Sequence, residues 1–236
     1  MPAVVLRAPA KLTLSLRVTG VRDDGYHLID AEMVTLDLAD TLTLDESGDG
    51  LEVTGHGQAV QAGDDNLVRR ALRVAGRTAH VRLDKQIPAG AGLGGGSADA
   101  AAVLRWAGIT DLTVAASIGA DVPFCLVGGR ARVRGIGERV EPLPFVARTF
   151  TLLTPPVHCS TPAVYGAWDG LGGPTADGPN DLEPAALVVA PELARWRDHL
   201  GDLTGQTPVL AGSGSTWFVE GAHDGDGLVI AHTTPA

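Results

Sequence analysis

Apolar and polar residues alternate through much of the first half of the chain, the pattern of strands with one face buried. Residues 4–6 form a short apolar run that closes at Pro9. From Lys11 to Val18 the alternation is strict, with Leu12, Leu14, Leu16 and Val18 on one face and Lys11, Thr13, Ser15 and Arg17 on the other. Asp24-Gly25 is a turn signal that leaves Tyr26 and His27 at a loop exit. Residues 33–38 and 41–44 alternate again, predicting two strands on either side of Ala39-Asp40, and 51–54 predicts a further short one. The period then changes. Asp64-Asp65-Asn66 offers capping side chains to a helix ending near Val74, whose Arg69, Arg70 and Arg73 read as a solvated face. Residues 80–84 return to the strand period and feed a glycine-rich loop and an alanine-rich helix.

The second half is more mixed. After a break between Pro142 and Thr149, residues 149–153 predict a strand, and Ser160 a cap for a helix with Pro162 in its first turn. Residues 170–180 form a Gly/Pro-rich loop, 181–189 and 191–200 read as helices, and 227–233 as a closing strand. The pattern predicts an α+β chain of two subdomains, residues 1–145 and 146–236.

Composition narrows the function. The chain has 236 residues, 44% hydrophobic and 19% charged, with a formal net charge of −10. That balance suits a soluble enzyme and argues against a nucleic-acid partner, which wants a basic face. Cys125 and Cys159 suggest no disulfide framework and fit a reducing cytoplasm. The opening apolar run is too short for a signal peptide, and no stretch approaches membrane-spanning length. The expectation is a cytoplasmic enzyme, monomeric or a weak homodimer.

The chemistry concentrates in residues 87–104, IPAGAGLGGGSADAAAVL. Glycine lets a backbone approach a ligand closely, and a loop running into a helix presents free N–H groups at the positive end of the helix dipole. Ser97 is the expected N-cap, with a hydroxyl able to reach a phosphate or Mg²⁺, and Asp99 suits the first turn. No Lys follows the glycines, so the loop is not a Walker P-loop. By spacing alone, Lys11 reads as a solvated strand lysine, Tyr26-His27 as packing, and Asp121 as a turn or helix-end residue.

The string PAGAGLGGGSADAA resembles the phosphate loop of the GHMP kinases, a superfamily of small-metabolite kinases. Pro9-Ala10-Lys11 with Asp24-Gly25-Tyr26-His27 resembles its opening signature in the branch acting on cytidine diphosphate-linked methylerythritol. GADVPF at 119–124 resembles the second signature, and Gly212-Ser213-Gly214-Ser215 the third, a turn between a helix and a strand that packs against the loop. The resemblance implies the two-subdomain fold, with an N-terminal part like ribosomal S5 domain 2 and a ferredoxin-like C-terminal part. It implies ATP on Pro88, Ala89, Gly90, Ala91, Gly92, Leu93, Gly94, Gly95, Gly96, Ser97 and Ala98, and Mg²⁺ held mainly by the phosphates. Lys11 and Asp121 become the catalytic pair, and Thr13, Tyr26, His27 and Tyr165 the substrate side, with Tyr26, His27 and Tyr165 placed around the cytosine ring. Thr13 departs from the usual Asn of the pattern. Mevalonate- or homoserine-kinase-like activity and a silent ATP-binding protein are the alternatives on the same fold. A nicotinamide module would need an acidic residue at a strand end, where Asp121 does not lie.

Overall fold

A computed structural model of the chain describes residues 3–55 and 62–236. It opens on a long antiparallel hairpin, β1 (Val4–Val21) and β2 (His27–Asp45). The alternation predicts breaks at Pro9 and at Ala39-Asp40, and neither occurs. Among the described residues β1 pairs in the sheet with β2 alone, and Pro9 sits at a register shift on this edge strand, the kind of place where a sheet tolerates proline. Asp40 stays in the strand because its carboxylate is satisfied inside the protein, as described below.

β2 organises the first sheet. One side pairs with β1 along nearly its whole length, and the other is shared between β4 (His80–Lys85) at residues 41–45 and β5 (Arg130–Gly135) at residues 29–34. β3 (Gly50–Gly55) runs parallel to β4, and β6 (Arg139–Leu143) antiparallel to β5.

Register shifts at Pro9/Lys11, Thr13/Ser15 and Val18/Gly20 interrupt the hairpin. A one-residue slip moves side chains to the opposite face. Leu12 and Leu14 therefore pack with Phe150, Leu152 and Phe218, whereas Leu16 and Val18 pack with the helices. The single apolar face read from residues 12–18 is in fact divided between two cores.

One core lies under the helices α1 (Leu67–Val74), α2 (Gly95–Trp106), α3 (Leu112–Ile118) and α4 (Val122–Val127). Asn66 caps α1 as expected, accepting from Val68 N. Arg69, Arg70 and Arg73 do not form a free face; they donate to the carbonyls of Ala62, Ser117 and Asp64. In α2 every residue from Ala98 to Leu104 is buried, which the run of alanines permits by keeping the helix thin.

The second sheet has the order β10-β7-β9-β8, built from β7 (Thr149–Leu153), β8 (Val209–Leu210), β9 (Trp217–Glu220) and β10 (Leu228–His232). Helices α5 (Thr161–Gly170), α6 (Glu183–Val189) and α7 (Leu193–Thr204) accompany it. α6 starts two residues later than the pattern predicts because Asn180 and Asp181, both 1% exposed, are used elsewhere. Asn180 Nδ2 donates to Leu210 O and Gly212 O, while Asp181 accepts from Arg17 Nη1 at 2.6 Å and Val18 N at 2.9 Å. The Gly/Ser turn at 212–215 joins β8 to β9, so it links two strands and not a helix and a strand.

Candidate active site

The glycine loop crosses between the two sheets. Its inner side chains, Ile87, Ala91 and Leu93, belong to the core shared by β1, β2 and the second sheet. Backbone bonds hold it on both flanks: Lys11 N donates to Leu93 O at 3.0 Å and Thr216 N to Ala91 O at 3.1 Å. At Gly92, with φ of +76°, an added Cβ would collide with the carbonyl of Ala211, and at Gly94, with φ of +67°, it would lie 2.7 Å from Lys11 Cγ. Both positions need glycine for conformation and for space.

Gly94, not Ser97, occupies the N-cap of α2, and the helix starts at Gly95. The left-handed backbone at Gly94 turns the chain into the helix three residues early and needs no capping side chain. The first helical hydrogen bond is Ala98 N to Gly94 O at 2.9 Å, so the amides of Gly95, Gly96 and Ser97 precede the ladder. Asp99 is not a first-turn surface acid. It is 2% exposed and its Oδ2 accepts from Lys85 Nζ at 2.8 Å.

A cavity of about 1120 Å³ opens over the loop. Pro88, Ala89, Gly90, Ala91, Gly92, Gly94, Gly95, Gly96 and Ser97 line it. Leu93 and Ala98, each 1% exposed, do not; they face the cores. Gly212 and Ser213 reach it, whereas Gly214 and Ser215 sit behind the turn, Gly214 against Cys159 and Leu210 and Ser215 at 1% exposure.

Lys11 and Asp121 meet on the cavity wall, Nζ to Oδ2 at 3.3 Å. The polar face of β1 is not solvated here: Lys11 is 5% and Thr13 2% exposed, and Lys11 Nζ also donates to Thr13 Oγ1 at 3.1 Å. Asp121 stands at the N-terminus of α4, where Pro123 in the first turn cannot donate.

The far end of the cavity is aromatic. His27 packs on Tyr165 with ring centroids 4.6 Å apart and meets Trp168 edge-on at 5.6 Å. Its Nε2 lies 2.8 Å from Asp169 Oδ1. Tyr26 also lines the cavity but is 60% exposed, with its ring free of these partners. Burial, and secondarily the charge of Asp121, pushes the Tyr165 hydroxyl well above its ordinary value. Sequence reasoning missed Trp168 and Asp169. Their spacing of three and four residues from Tyr165 on α5 is the signal that could have found them.

Charge in the cavity is uneven. Lys11 and Lys85 are the basic side chains among its lining residues, against Asp24, Asp64, Asp65, Asp99, Asp121 and Asp169. Lys85 is already held between two carboxylates, so the cavity offers an anion mainly backbone amides.

Comparison with known proteins identifies the fold. The GHMP kinases N terminal domain matches residues 66–129, which hold α1, the loop and the Asp121 turn. A 4-diphosphocytidyl-2-C-methyl-D-erythritol kinase of Paracoccus denitrificans is 41% identical over 231 residues, covering 89% of this chain and 84% of that one. The chain belongs to the 4-diphosphocytidyl-2-C-methyl-D-erythritol kinase family of GHMP kinases. A crystal structure of 4-(cytidine 5'-diphospho)-2C-methyl-D-erythritol kinase superposes with a TM-score of 0.79 at 32% identity, covering 99% of this chain and 100% of that one. A crystal structure of mevalonate kinase superposes at 0.60 with 10% identity, covering 99% and 100%, and that likeness shows the fold alone. Among the described residues no helix is long and apolar enough to cross a membrane.

Proposed function

We propose that this chain transfers the γ-phosphoryl group of ATP to the 2-hydroxyl of 4-diphosphocytidyl-2-C-methyl-D-erythritol, in the cytoplasm. The observation that carries this reading is the Lys11–Asp121 pair at 3.3 Å, set in one cavity between the glycine loop and the His27–Tyr165 stack. The family relationship supports it, whereas the likeness to mevalonate kinase extends only to fold.

Phosphoryl transfer asks a protein for alignment and charge stabilisation more than for covalent chemistry. The amides of Gly95, Gly96 and Ser97, with the loop before them, would hold the β- and γ-phosphates. The substrate's cytosine would lie at the aromatic end, against Tyr165 and the exposed face of Tyr26, within reach of His27. The hydroxyl oxygen attacks the γ-phosphorus as the bond to the bridging oxygen breaks, and ADP leaves. Asp121 accepts or orients the hydroxyl proton, and Lys11 offsets charge on the attacking oxygen and the moving group. Thr13 orients the Lys11 ammonium through its hydroxyl.

The acid-rich lining gives Mg²⁺ a role. With six carboxylates and two ammonium groups around it, a free triphosphate would be opposed by the local field. No group of three or more His, Cys, Asp or Glu among the described residues could hold a metal ion; the ion would ride on the phosphates, with the cavity-lining Ser97 hydroxyl at the loop able to take part. The bound ion supplies charge neutralisation of the β- and γ-phosphates. We also propose that the chain divides near residue 145, since the first sheet ends at Leu143 and the second begins at Thr149.

The test is direct. Purified protein with ATP, Mg²⁺ and the cytidyl-diphospho-methylerythritol should yield ADP and a product heavier by one phosphate. Mevalonate or homoserine in its place should yield none, and turnover of either would favour the alternative.

A further inference from the structure

Strand alternation places Asp40 at a break between two strands, and the structure places it inside a sheet. It is 0% exposed. Its Oδ1 accepts from Gln86 N at 2.6 Å and from Ile87 N at 2.8 Å, the first two amides of the phosphate loop. Its Oδ2 takes Lys85 Nζ, and the same ammonium donates to Asp99 Oδ2 at 2.8 Å, on the helix that follows the loop. Lys85 Nζ also lies 2.9 Å from where a Cβ on Gly95 would be, so it sits directly beneath the first turn of α2. One carboxylate thus reaches the start of the loop by two direct bonds and its end through one bridging cation.

Three charges at 0–2% exposure are costly to bury, and charge balance alone does not explain them, because two carboxylates share one ammonium. What distinguishes Asp40 from Asp99 is connectivity. Asp40 has both oxygens engaged, while Asp99 Oδ1 has no hydrogen-bond partner. We propose that Asp40 is the positioning residue of the phosphate loop: it fixes both ends of the loop before nucleotide arrives, and sets nucleotide affinity without touching the nucleotide. This rests on the reading of the loop as the ATP phosphate site.

At pH 8, either Asp40→Asn or Asp99→Asn removes one negative charge from the same cluster, so a role in charge balance alone predicts equal effects there. Positioning predicts inequality. An Asn at 40 has one acceptor oxygen for three donors; facing the amides, it turns its NH₂ toward the Lys85 ammonium, and one link is lost. An Asn at 99 can still accept from Lys85.

Calorimetric titration with Mg·AMP-PNP should show Asp40→Asn weakening nucleotide binding by about tenfold or more and Asp99→Asn by much less, since small misplacements of positioning groups carry large penalties. The KM for the cytidyl substrate should stay unchanged in Asp40→Asn. Equal losses in the two variants, or a loss shared by both substrates, would overturn the proposal. A wild-type chain that failed to bind Mg·AMP-PNP would instead overturn the kinase reading itself. Native-state hydrogen exchange on the wild type gives a check that needs no variant. The amides of Gln86 and Ile87 should be protected like those of β4, with or without nucleotide, and exchange at the rate of open loops would refute the tie.

Discussion

The two ends of the cavity are built on opposite plans. At the glycine end, ligand-facing groups are mainly backbone amides, and the bracing comes from behind: the main-chain amides of Lys11 and Thr216 donate to Leu93 O and Ala91 O, and the Asp40 carboxylate accepts from Gln86 N and Ile87 N. At the aromatic end the ligand-facing groups are side chains from two distant segments, His27 at the start of β2 and Tyr165 and Asp169 on α5, with Trp168 packed behind His27. Backbone sites cannot adjust by changing rotamer, so their shape must be fixed by packing. Side-chain sites can, and Tyr26 at 60% exposure is free to do so. The difference teaches where substitution should be intolerable and where merely costly. Lys11 and Asp121 stand at the junction and should be sensitive in rate, not in binding.

The largest effect is therefore expected at that junction. Asp121→Asn keeps the shape of the side chain but loses its charge, and kcat should fall by roughly 10²–10⁴, the usual worth of a positioned base. Lys11→Ala should fall comparably, and the double variant by far less than the product of the two, because they act as one unit. Steady-state kinetics with both substrates would check this. A main effect on KM would move the chemistry away from the pair.

Next in size is Gly92→Ala. Its Cβ would meet the carbonyls of Ala211 and Gly214, both backbone, so the loop must part from the Gly/Ser turn. Nucleotide affinity should drop by about 10²-fold, as misplacement by about 1 Å can cost that much, measured by titration with Mg·AMP-PNP. Gly94→Ala gives a contrasting readout. Its Cβ would press on the Lys11 stem 2.7 Å away, so kcat should suffer along with affinity. At the aromatic end, Tyr165→Ala should raise KM for the cytidyl substrate by roughly 5- to 100-fold, the range for loss of one base–aromatic stack. It should leave Mg·AMP-PNP binding alone.

The same contrast explains what could be read from sequence. The loop was legible because glycines, small residues and the following alanines are contiguous, and because GADVPF and the Gly/Ser turn keep local spelling. Strand pairing between β1 and β2 was legible in outline but not in continuity. Bulges at Thr13/Ser15 and Pro9/Lys11 leave no trace in a two-residue period, so one apparent apolar face hid two. Asp40, Lys85 and Asp99 were illegible for another reason. Their bonds span 45 and 14 residues, and nothing in the neighbours of Asp40 separates a buried strand aspartate from a turn. Ser97 as a cap failed because the left-handed Gly94 starts the helix earlier. Asn180 and Asp181 lay at the edge of a loop without pattern, yet they brace β1 and the Gly/Ser turn.

The smallest expected effect separates the buried charges from the rest of the backbone-built end. Burial pushes the Asp99 carboxyl up to about 7, with the neighbouring charge of Asp40 adding to the rise and Lys85 opposing it. Its value in the unfolded chain is about 3.9. A group raised on folding contributes stability that is fully present below its unfolded value and is lost as pH climbs through its folded one. The Asp99 contribution should therefore fade between about pH 4 and pH 7. Asp99→Asn abolishes this titration and leaves Lys85 a neutral acceptor, so the variant should gain stability relative to wild type as pH rises from about 4 to 8 and lose that advantage near pH 4, where the native carboxyl is already neutral. Denaturant melts of wild type and Asp99→Asn across this range would show the two curves converging on the acid side. Curves that ran parallel would mean that Asp99 stays ionised throughout, held by Lys85 against the cost of its burial.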